Sequence, residues 1–110
     1  MEREIIYFRH YFEEFYDSLP QKVREKYRYV LYIIENIQKV PEKFLKQIEG
    51  TKGLYEIRVE FESNIYRTFC FFDAGRLVIL LNGFQKKTQK TPKNEIVLAE
   101  RLMKEYFENK

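Results

Sequence analysis

The hydrophobic period of this 110-residue chain changes from helical to strand-like at Leu54, and that change limits the folds available to it. Before Leu54, apolar residues recur three and four apart, whereas in residues 54–61 they alternate with polar ones. Two more β-favouring runs follow, at 64–72 and 76–84, with turn residues between the runs. The third run is the most apolar, so we expect it at the centre of the sheet. The second half of the chain therefore predicts an antiparallel meander of three strands.

The first half predicts one strand and a pair of helices. Residues 4–8 form a short β-favouring run, and helical periodicity is clear over 10–18 and 21–38. A short turn or helix is expected over 42–48, after a proline. Near the end, Thr91-Pro92 predicts a helix start, with Thr as N-cap and Pro at the first position, before the helical pattern of 95–107. The pattern predicts one α+β domain over residues 1–110, a small antiparallel sheet packed by an N-terminal helical hairpin and a C-terminal helix.

The scarcity of cysteine and histidine excludes several classes of site. A single cysteine, Cys70, rules out an intramolecular disulfide and a cysteine-cluster metal site, and its apolar strand favours a buried, inert thiol. A single histidine, His10, disfavours a His-rich metal site and a Ser-His-Asp triad. No apolar run approaches the length of a membrane span, and the N-terminus lacks a signal-peptide pattern. We therefore expect a cytoplasmic protein that uses no metal and no cofactor.

Positive charge is concentrated between the third strand of the meander and the last helix. Residues 83–93 carry four lysines and no acid, and every ionisable side chain between Asp73 and Glu95 is a lysine or an arginine. The net charge of the chain is only +3, and all of the excess lies in its second half. Crowded cations without compensation predict an anion-binding site, most simply for phosphate. A solvated lysine loop is the alternative interpretation.

Two arginines are predicted to face each other in the sheet. If Glu62-Ser63 closes a two-residue hairpin, Arg58 lies directly opposite Arg67, with Glu56 on the same face. Opposed arginines cost roughly 0.2–1 kcal/mol unless a negative group lies between them. That group is either Glu56, in an internal salt-bridge network, or a bound phosphate. We expect Arg67 to face the open side of the sheet.

Such residues suit the cleavage of RNA at a 2′-hydroxyl. The reaction needs a base for the hydroxyl proton, cations for the charge on the phosphorane, and an acid for the leaving 5′-oxygen. Without a histidine pair, the acid and the base must be Glu, Tyr or a Lys of shifted pKa, while Arg and Lys meet the phosphorane charge. Phe84 or a tyrosine is available to stack on a base. A basic α+β binding module would offer the same residues.

Three blocks of sequence combine these residues in one order: LYEIR at 54–58, YRTF at 66–69 and GFQKKTQKTP at 83–92. In order and spacing they resemble the phage-derived, HigB-like branch of the RelE/ParE superfamily of type II toxin–antitoxin toxins. The resemblance extends over residues 4–108. It implies a RelE-like fold and an mRNA endonuclease that acts on translating ribosomes and is neutralised by an antitoxin.

The resemblance also implies roles for individual residues. Arg67 matches the strand arginine that is taken to contact the scissile phosphate in the family. The set proposed for catalysis comprises Arg67, Glu56, Arg58 and Lys87. The set proposed to bind RNA phosphates or bases comprises Lys86, Lys90, Lys93 and Phe84. The histidine or late tyrosine of some relatives has no clear counterpart, because the spacing of Tyr106 fits the core of the last helix better.

The partners implied are a cognate antitoxin, often a helix-turn-helix protein in this branch, and mRNA on the ribosome. Contact with DNA is expected only indirectly, through the antitoxin, and no contact with a membrane is expected. ParE-type relatives share the fold and poison DNA gyrase instead of cutting RNA, so a non-nuclease toxin is a second hypothesis. A basic RNA-binding domain without cleavage activity is a third.

Overall fold

The computed structural model of the protein describes all of residues 1–110 and contains three helices and five strands. In chain order the elements are β1 (Glu4–Tyr7), α1 (Tyr11–Asp17), α2 (Gln21–Asn36), β2 (Leu45–Gln47), β3 (Tyr55–Phe61), β4 (Asn64–Asp73), β5 (Leu77–Lys86) and α3 (Lys93–Glu108). The α+β class is confirmed, with strands and helices close to their predicted bounds. None of the helices is long and apolar enough to span a membrane.

The segment after Pro41 folds differently from the expectation. A turn is present, because the amides of Phe44 and Leu45 both donate to the Pro41 carbonyl, at 3.0 and 3.2 Å. No helix follows it. Leu45–Gln47 instead forms β2, which pairs antiparallel with β3. β3 is the next strand along the chain, but β2 has only three residues, too few for an alternating hydrophobic pattern to reveal it.

The five strands form one mixed sheet in the order β1-β5-β4-β3-β2. The β3-β4-β5 meander is antiparallel, as expected, whereas β1 lies parallel to β5. The central position belongs to β4 and not to β5, so that expectation is wrong. The strongly apolar composition of β5 has another cause: α1 packs on one of its faces and α3 on the other.

The sheet separates two hydrophobic cores. The core under α1 and α2 is lined by alternate strand residues and by the helical stripe Val23, Tyr27, Val30 and Ile34. The core under α3 is rich in phenylalanine and includes Phe69, Phe71, Leu81, Ala99 and Leu102. Both helical faces follow the predicted three-and-four spacing, which confirms the amphipathic reading of α2 and α3.

The start of α3 differs in detail from the prediction. Pro92 occupies the N-cap position with φ −60° and ψ 130°, and no side chain caps the helix. The expected Thr91 cap is therefore wrong, and the helix begins at Lys93. The amides of Glu95 and Ile96 both bond to the Pro92 carbonyl, at 3.1 and 3.4 Å, so the backbone itself closes the first turn.

The β3–β4 hairpin has the predicted register. Glu62 and Ser63 have φ values of 48° and 67°, as a type I′ turn requires at both central positions. Arg58 is consequently paired with Arg67, and Glu56 with Phe69. Since side chains alternate between faces, Glu56, Arg58 and Arg67 share the face that carries α3.

Gly83 lets α1 lie directly on the backbone of β5. A Cβ atom at this position would overlap the ring of Phe15 and would lie 2.9 Å from the Thr68 Oγ1 atom. The glycine in the third sequence block is therefore explained by close packing on the face opposite the arginines.

We expect Gly83→Ala to lower the free energy of unfolding by about 1–3 kcal/mol, because the added methyl group overpacks this contact. Urea denaturation measures the change. The same substitution in a Phe15→Ala background should cost less, since the ring that it meets is gone. Equal penalties in the two backgrounds would contradict the explanation.

Candidate nucleic-acid interface

The centre of the candidate site is the pair of arginines on neighbouring strands. Glu56 lies beside both, with its Oε1 atom 3.4 Å from the Nε atom of Arg58 and 3.7 Å from that of Arg67. Both contacts are ion pairs, and neither is a hydrogen bond. The Nε atoms of both arginines are therefore buried without a hydrogen-bond partner. The predicted network exists, yet one carboxylate faces two guanidinium groups and two donors stay unused. The site therefore keeps an excess positive charge.

Arg67 is much more buried than expected. The residue is only 2% exposed, so the expectation that it faces an open side of the sheet is wrong. It does lie on the predicted face, but β4 is the central strand, and side chains from β3 and β5 flank it on both sides. One guanidinium nitrogen donates to the carbonyl of Tyr66 at 3.1 Å. Solvent reaches the pair through Arg58, which is partly exposed.

Burial also changes the electrostatics of the pair. It lowers the pKa of the Arg67 guanidinium below its ordinary value, which the Glu56 carboxylate partly offsets and the charge of Arg58 reinforces. A guanidinium stays charged in proteins nevertheless. Arg67 is thus a desolvated cation, whose attraction for a negative group is stronger than it would be in water.

Phe84 is part of the core in this structure. It lies directly opposite Arg67 on β5, is 8% exposed, and packs on Phe69 with ring centroids 5.5 Å apart. Its ring is buried on the strand beside Arg67, so it is not free to stack on an RNA base. Because side chains alternate between the two faces of β5, Phe84 lies in the core under α3 although the residues that follow it are basic.

The four predicted lysines lie at the end of β5, in the connection to α3, and at the start of α3. Lys86 is the last residue of β5 and lies opposite Ile65, on the same face as Arg67 and one strand away. Lys87 and Lys90 are exposed in the connection to α3, and Lys93 is the first residue of that helix. A cleft of about 390 Å³ opens between the connection and the hairpin, lined by Ser63, Ile65, Lys86, Lys87, Thr88 and Gln89.

The residues considered for other chemistry lie away from the arginine pair. Tyr106 donates to Asp73 Oδ2 at 2.6 Å, and this hydrogen bond raises the pKa of Tyr106 and lowers that of Asp73. Asp73 is six residues along β4 from Arg67, roughly 20 Å at strand spacing. Tyr106 packs on Phe71 in the core under α3, with ring centroids 5.2 Å apart, so the core role expected for it is confirmed. Cys70 is fully buried, and burial raises the pKa of its thiol, as expected for an inert group. His10 is exposed at the start of α1.

Two buried polar contacts escaped the sequence analysis. The Asn82 side-chain amide, 2% exposed, donates to the Glu95 carbonyl at 3.1 Å and to Glu95 Oε1 at 3.0 Å, which ties β5 to the first turn of α3. The hydroxyl groups of Tyr27 and Thr68 lie 2.9 Å apart between α2 and β4. The signal for the first contact in the sequence is Asn82, a polar residue that directly follows the apolar run 77–81.

Comparison with known proteins identifies the fold and the family of this chain. A chain of the "Crystal structure of archaeal RelE-RelB complex from Pyrococcus horikoshii OT3" superposes with a TM-score of 0.55 at 20% identity, covering 76% of this chain and 93% of that one. The fold is therefore RelE-like, as the resemblance implied. The chain belongs to the family described as "Phage derived protein Gp49-like (DUF891)", whose sequence profile matches residues 14–104. A comparison with curated proteins finds no match.

The burial of Arg67 separates its structural role from a chemical one. Arg67→Ala removes a buried side chain, so we expect it to lower the free energy of unfolding by about 2–5 kcal/mol. Arg67→Met fills most of the same volume without a charge and should stay within about 1.5 kcal/mol of the wild type. Thermal and urea denaturation compare the two variants. Equal stability of Arg67→Ala and the wild type would contradict the observed burial.

Proposed function

We propose that this protein is the toxin of a type II toxin–antitoxin system, and that it is a ribosome-dependent mRNA endonuclease of the HigB-like kind. Membership of a phage-derived family and the RelE-like fold support the toxin class. The observation that carries the nuclease proposal is the Arg58–Arg67 pair, with one carboxylate against two guanidinium groups and Lys86 on the strand next to Arg67. An RNA phosphate supplies the acceptors that the two unused Nε donors need.

The residues divide the chemistry as follows. Glu56 accepts the proton of the attacking 2′-hydroxyl, and its position between the arginines places it beside the phosphate that they hold. Arg58 and Arg67 stabilise the charge that develops on the phosphorane. Lys87 delivers a proton to the leaving 5′-oxygen. Lysines 86, 90 and 93 bind neighbouring phosphates of the RNA strand.

The burial of Arg67 gives the ribosome a physical role in this proposal. Arg67 is 2% exposed and Glu56 lies against its guanidinium, so a scissile phosphate meets that group only after neighbouring side chains have moved. A scaffold that holds the mRNA in an attack geometry contributes several kcal/mol toward such a step. Free RNA in solution lacks that contribution.

The partner proposed for the toxin is a cognate antitoxin, a helix-turn-helix protein that also links the toxin indirectly to DNA. The RelE structure to which this chain is similar is a complex with RelB. Acidic side chains on the antitoxin would complement the exposed lysines 87 and 90. A translating ribosome is the site of action, so the cytoplasm is the location proposed.

A second candidate function is supported by one observation. Arg67 is nearly inaccessible, and a buried salt-bridge network is also what a toxin without nuclease activity would contain. A ParE-like toxin that inhibits DNA gyrase is therefore the alternative, and a non-catalytic RNA-binding domain would use the same lysines. Primer extension on mRNA after induction, together with a gyrase supercoiling assay, distinguishes the three.

We expect the purified protein to cleave naked RNA slowly and translated mRNA rapidly, because Glu56, the proposed base, is packed against two arginines and nothing in the chain alone holds the 2′-hydroxyl against it. Primer extension in a reconstituted translation reaction, with and without ribosomes, measures the difference. Arg67→Met is the matched control, since it retains the fold and removes the charge. Fast, specific cleavage of ribosome-free RNA would contradict this expectation.

The lysines should dominate the salt dependence of binding to RNA or ribosomes. Each phosphate neutralised on a single strand contributes about 0.7 to the slope of log affinity against log salt, so replacing Lys86, Lys87 and Lys90 by Ala should flatten the slope by roughly 2. A triple Ala variant of the exposed lysines 22, 39 and 104, which lie on other surfaces, is the control. If both variants keep the wild-type slope, the segment is a solvated connector.

A further inference from the structure

A second cleft opens at the edge of the sheet, beyond the end of β2. That strand begins at Leu45, so past Arg58 the outer edge of β3 has no strand beside it, while β4 still pairs with its inner edge. The last link to the segment before β2 is the Arg58 amide, which donates to the Phe44 carbonyl at 2.8 Å. The cleft measures about 240 Å³ and is lined by Lys26, Lys43, Phe44, Arg58 and Glu60. It thus shares one arginine with the candidate active site, while its other cations come from α2 and the turn before β2.

The charge of this edge cleft is unbalanced. Three of its lining residues are cations and one is a carboxylate. Neither Lys26 nor Lys43 takes part in an ion pair. The Nε atom of Arg58 is buried and has no hydrogen-bond partner. In the proposed function that donor meets the scissile phosphate, but the guanidinium carries further N–H donors and the side chain is partly exposed, so Arg58 can also serve an anion in the cleft.

Aromatic rings accompany these cations. The rings of Tyr29 and Phe44 meet edge to face with centroids 6.0 Å apart. The ammonium of Lys26 lies 6.0 Å from the Tyr29 ring, and that of Lys43 lies 5.0 Å from the Phe44 ring. Tyr29 is 52% exposed. Cations beside an exposed aromatic ring are what sites for single-stranded nucleic acid use, because phosphates meet the charges and a base stacks on the ring.

The edge cleft continues a line of cations across the sheet. Lys86 on β5, Arg67 on β4 and Arg58 on β3 share one face, and the cleft lies just past Arg58. Adjacent strands are about 4.8 Å apart, so the line from Lys86 to the cleft is on the order of 15 Å long. That length and direction fit an extended polyanion that crosses the strands, and a single small anion would need only one of these positions.

We propose that the edge cleft binds a phosphate of the RNA strand next to the one held by the arginine pair, with the adjoining base stacked on Tyr29. Lys26, Lys43 and Arg58 are the phosphate ligands, and Glu60 limits the affinity by repulsion. The proposal rests on the proposed RNA contact of the protein, which it extends by a second subsite and a direction for the strand. The cleft fixes the path of the RNA strand on one side of the scissile phosphate, so its role is to position the RNA.

The test compares two uncleavable 2′-O-methyl oligonucleotides, a dinucleotide with a single phosphate and a decanucleotide, by fluorescence anisotropy. A Lys26→Ala/Lys43→Ala variant should weaken binding of the decanucleotide at least tenfold and reduce its salt slope by about 0.7, which is one single-strand phosphate contact. Its binding of the dinucleotide, whose single phosphate cannot occupy both subsites, should change less than twofold. The matched control is Lys22→Ala/Lys39→Ala, which removes two exposed lysines outside the cleft and should change the affinity for neither oligonucleotide beyond twofold.

Two further variants test the ring and the carboxylate. Tyr29→Ala should weaken binding of the decanucleotide at least fivefold, whereas Tyr29→Phe, which keeps the ring, should not. Glu60→Gln should strengthen it several-fold, since it removes the one negative charge of the cleft. Wild-type affinity in the Lys26/Lys43 variant would overturn the edge subsite while leaving the proposed function intact. Failure of the wild-type protein to bind either oligonucleotide would overturn the proposed RNA contact itself.

Discussion

The register of the β3–β4 hairpin is the constraint on which the site depends. Glu62 and Ser63 both adopt positive φ, so the turn spans two residues and leaves no freedom in how the strands pair. A slip of one residue would turn Arg67 toward the core under α1 and α2 and would send Thr68, whose hydroxyl contacts Tyr27, toward α3. The two hydrophobic cores on opposite faces make such a slip very costly. The arginine pair is therefore held by the same forces that hold the sheet.

The central feature of the site is a buried positive charge that the protein does not neutralise. Glu56 stands between two arginines, and both Nε donors lack a hydrogen-bond partner. A buried ion pair is weak evidence for stability, because desolvation offsets much of the attraction, and unused donors add to the cost. Such a group lowers the stability of the fold, and for this reason we propose that it has a negative ligand. The lysines on one side and the edge cleft on the other extend the positive potential along a path that an RNA strand could follow.

Several elements of the candidate site were predictable because they depend on local rules. The pairing of Arg58 with Arg67 followed from turn length alone, and the concentration of lysines between the last strand and the last helix is visible in the sequence. The exposure of Arg67 and Phe84 was not predictable in the same way. Both lie on the expected face, but their burial depends on β4 being central and on α3 packing on that face. The edge cleft was missed entirely, because Lys26, Lys43 and Arg58 are far apart in the chain and only β2, an unpredicted strand, brings the last two together.

The sequence by itself determined the α+β class, the three helices, the meander and its hairpin register, because periodicity and turn chemistry act over a few residues. It also determined that one region carries uncompensated positive charge. Tertiary structure decided the order of the strands, with β1 parallel to β5 and β4 at the centre, and it decided which polar groups lose contact with water. The physical reason is that burial and long-range pairing are properties of the whole packed chain. The desolvated Arg67, the buried Phe84 and the cleft beside Arg58 exist only once the sheet and α3 have assembled.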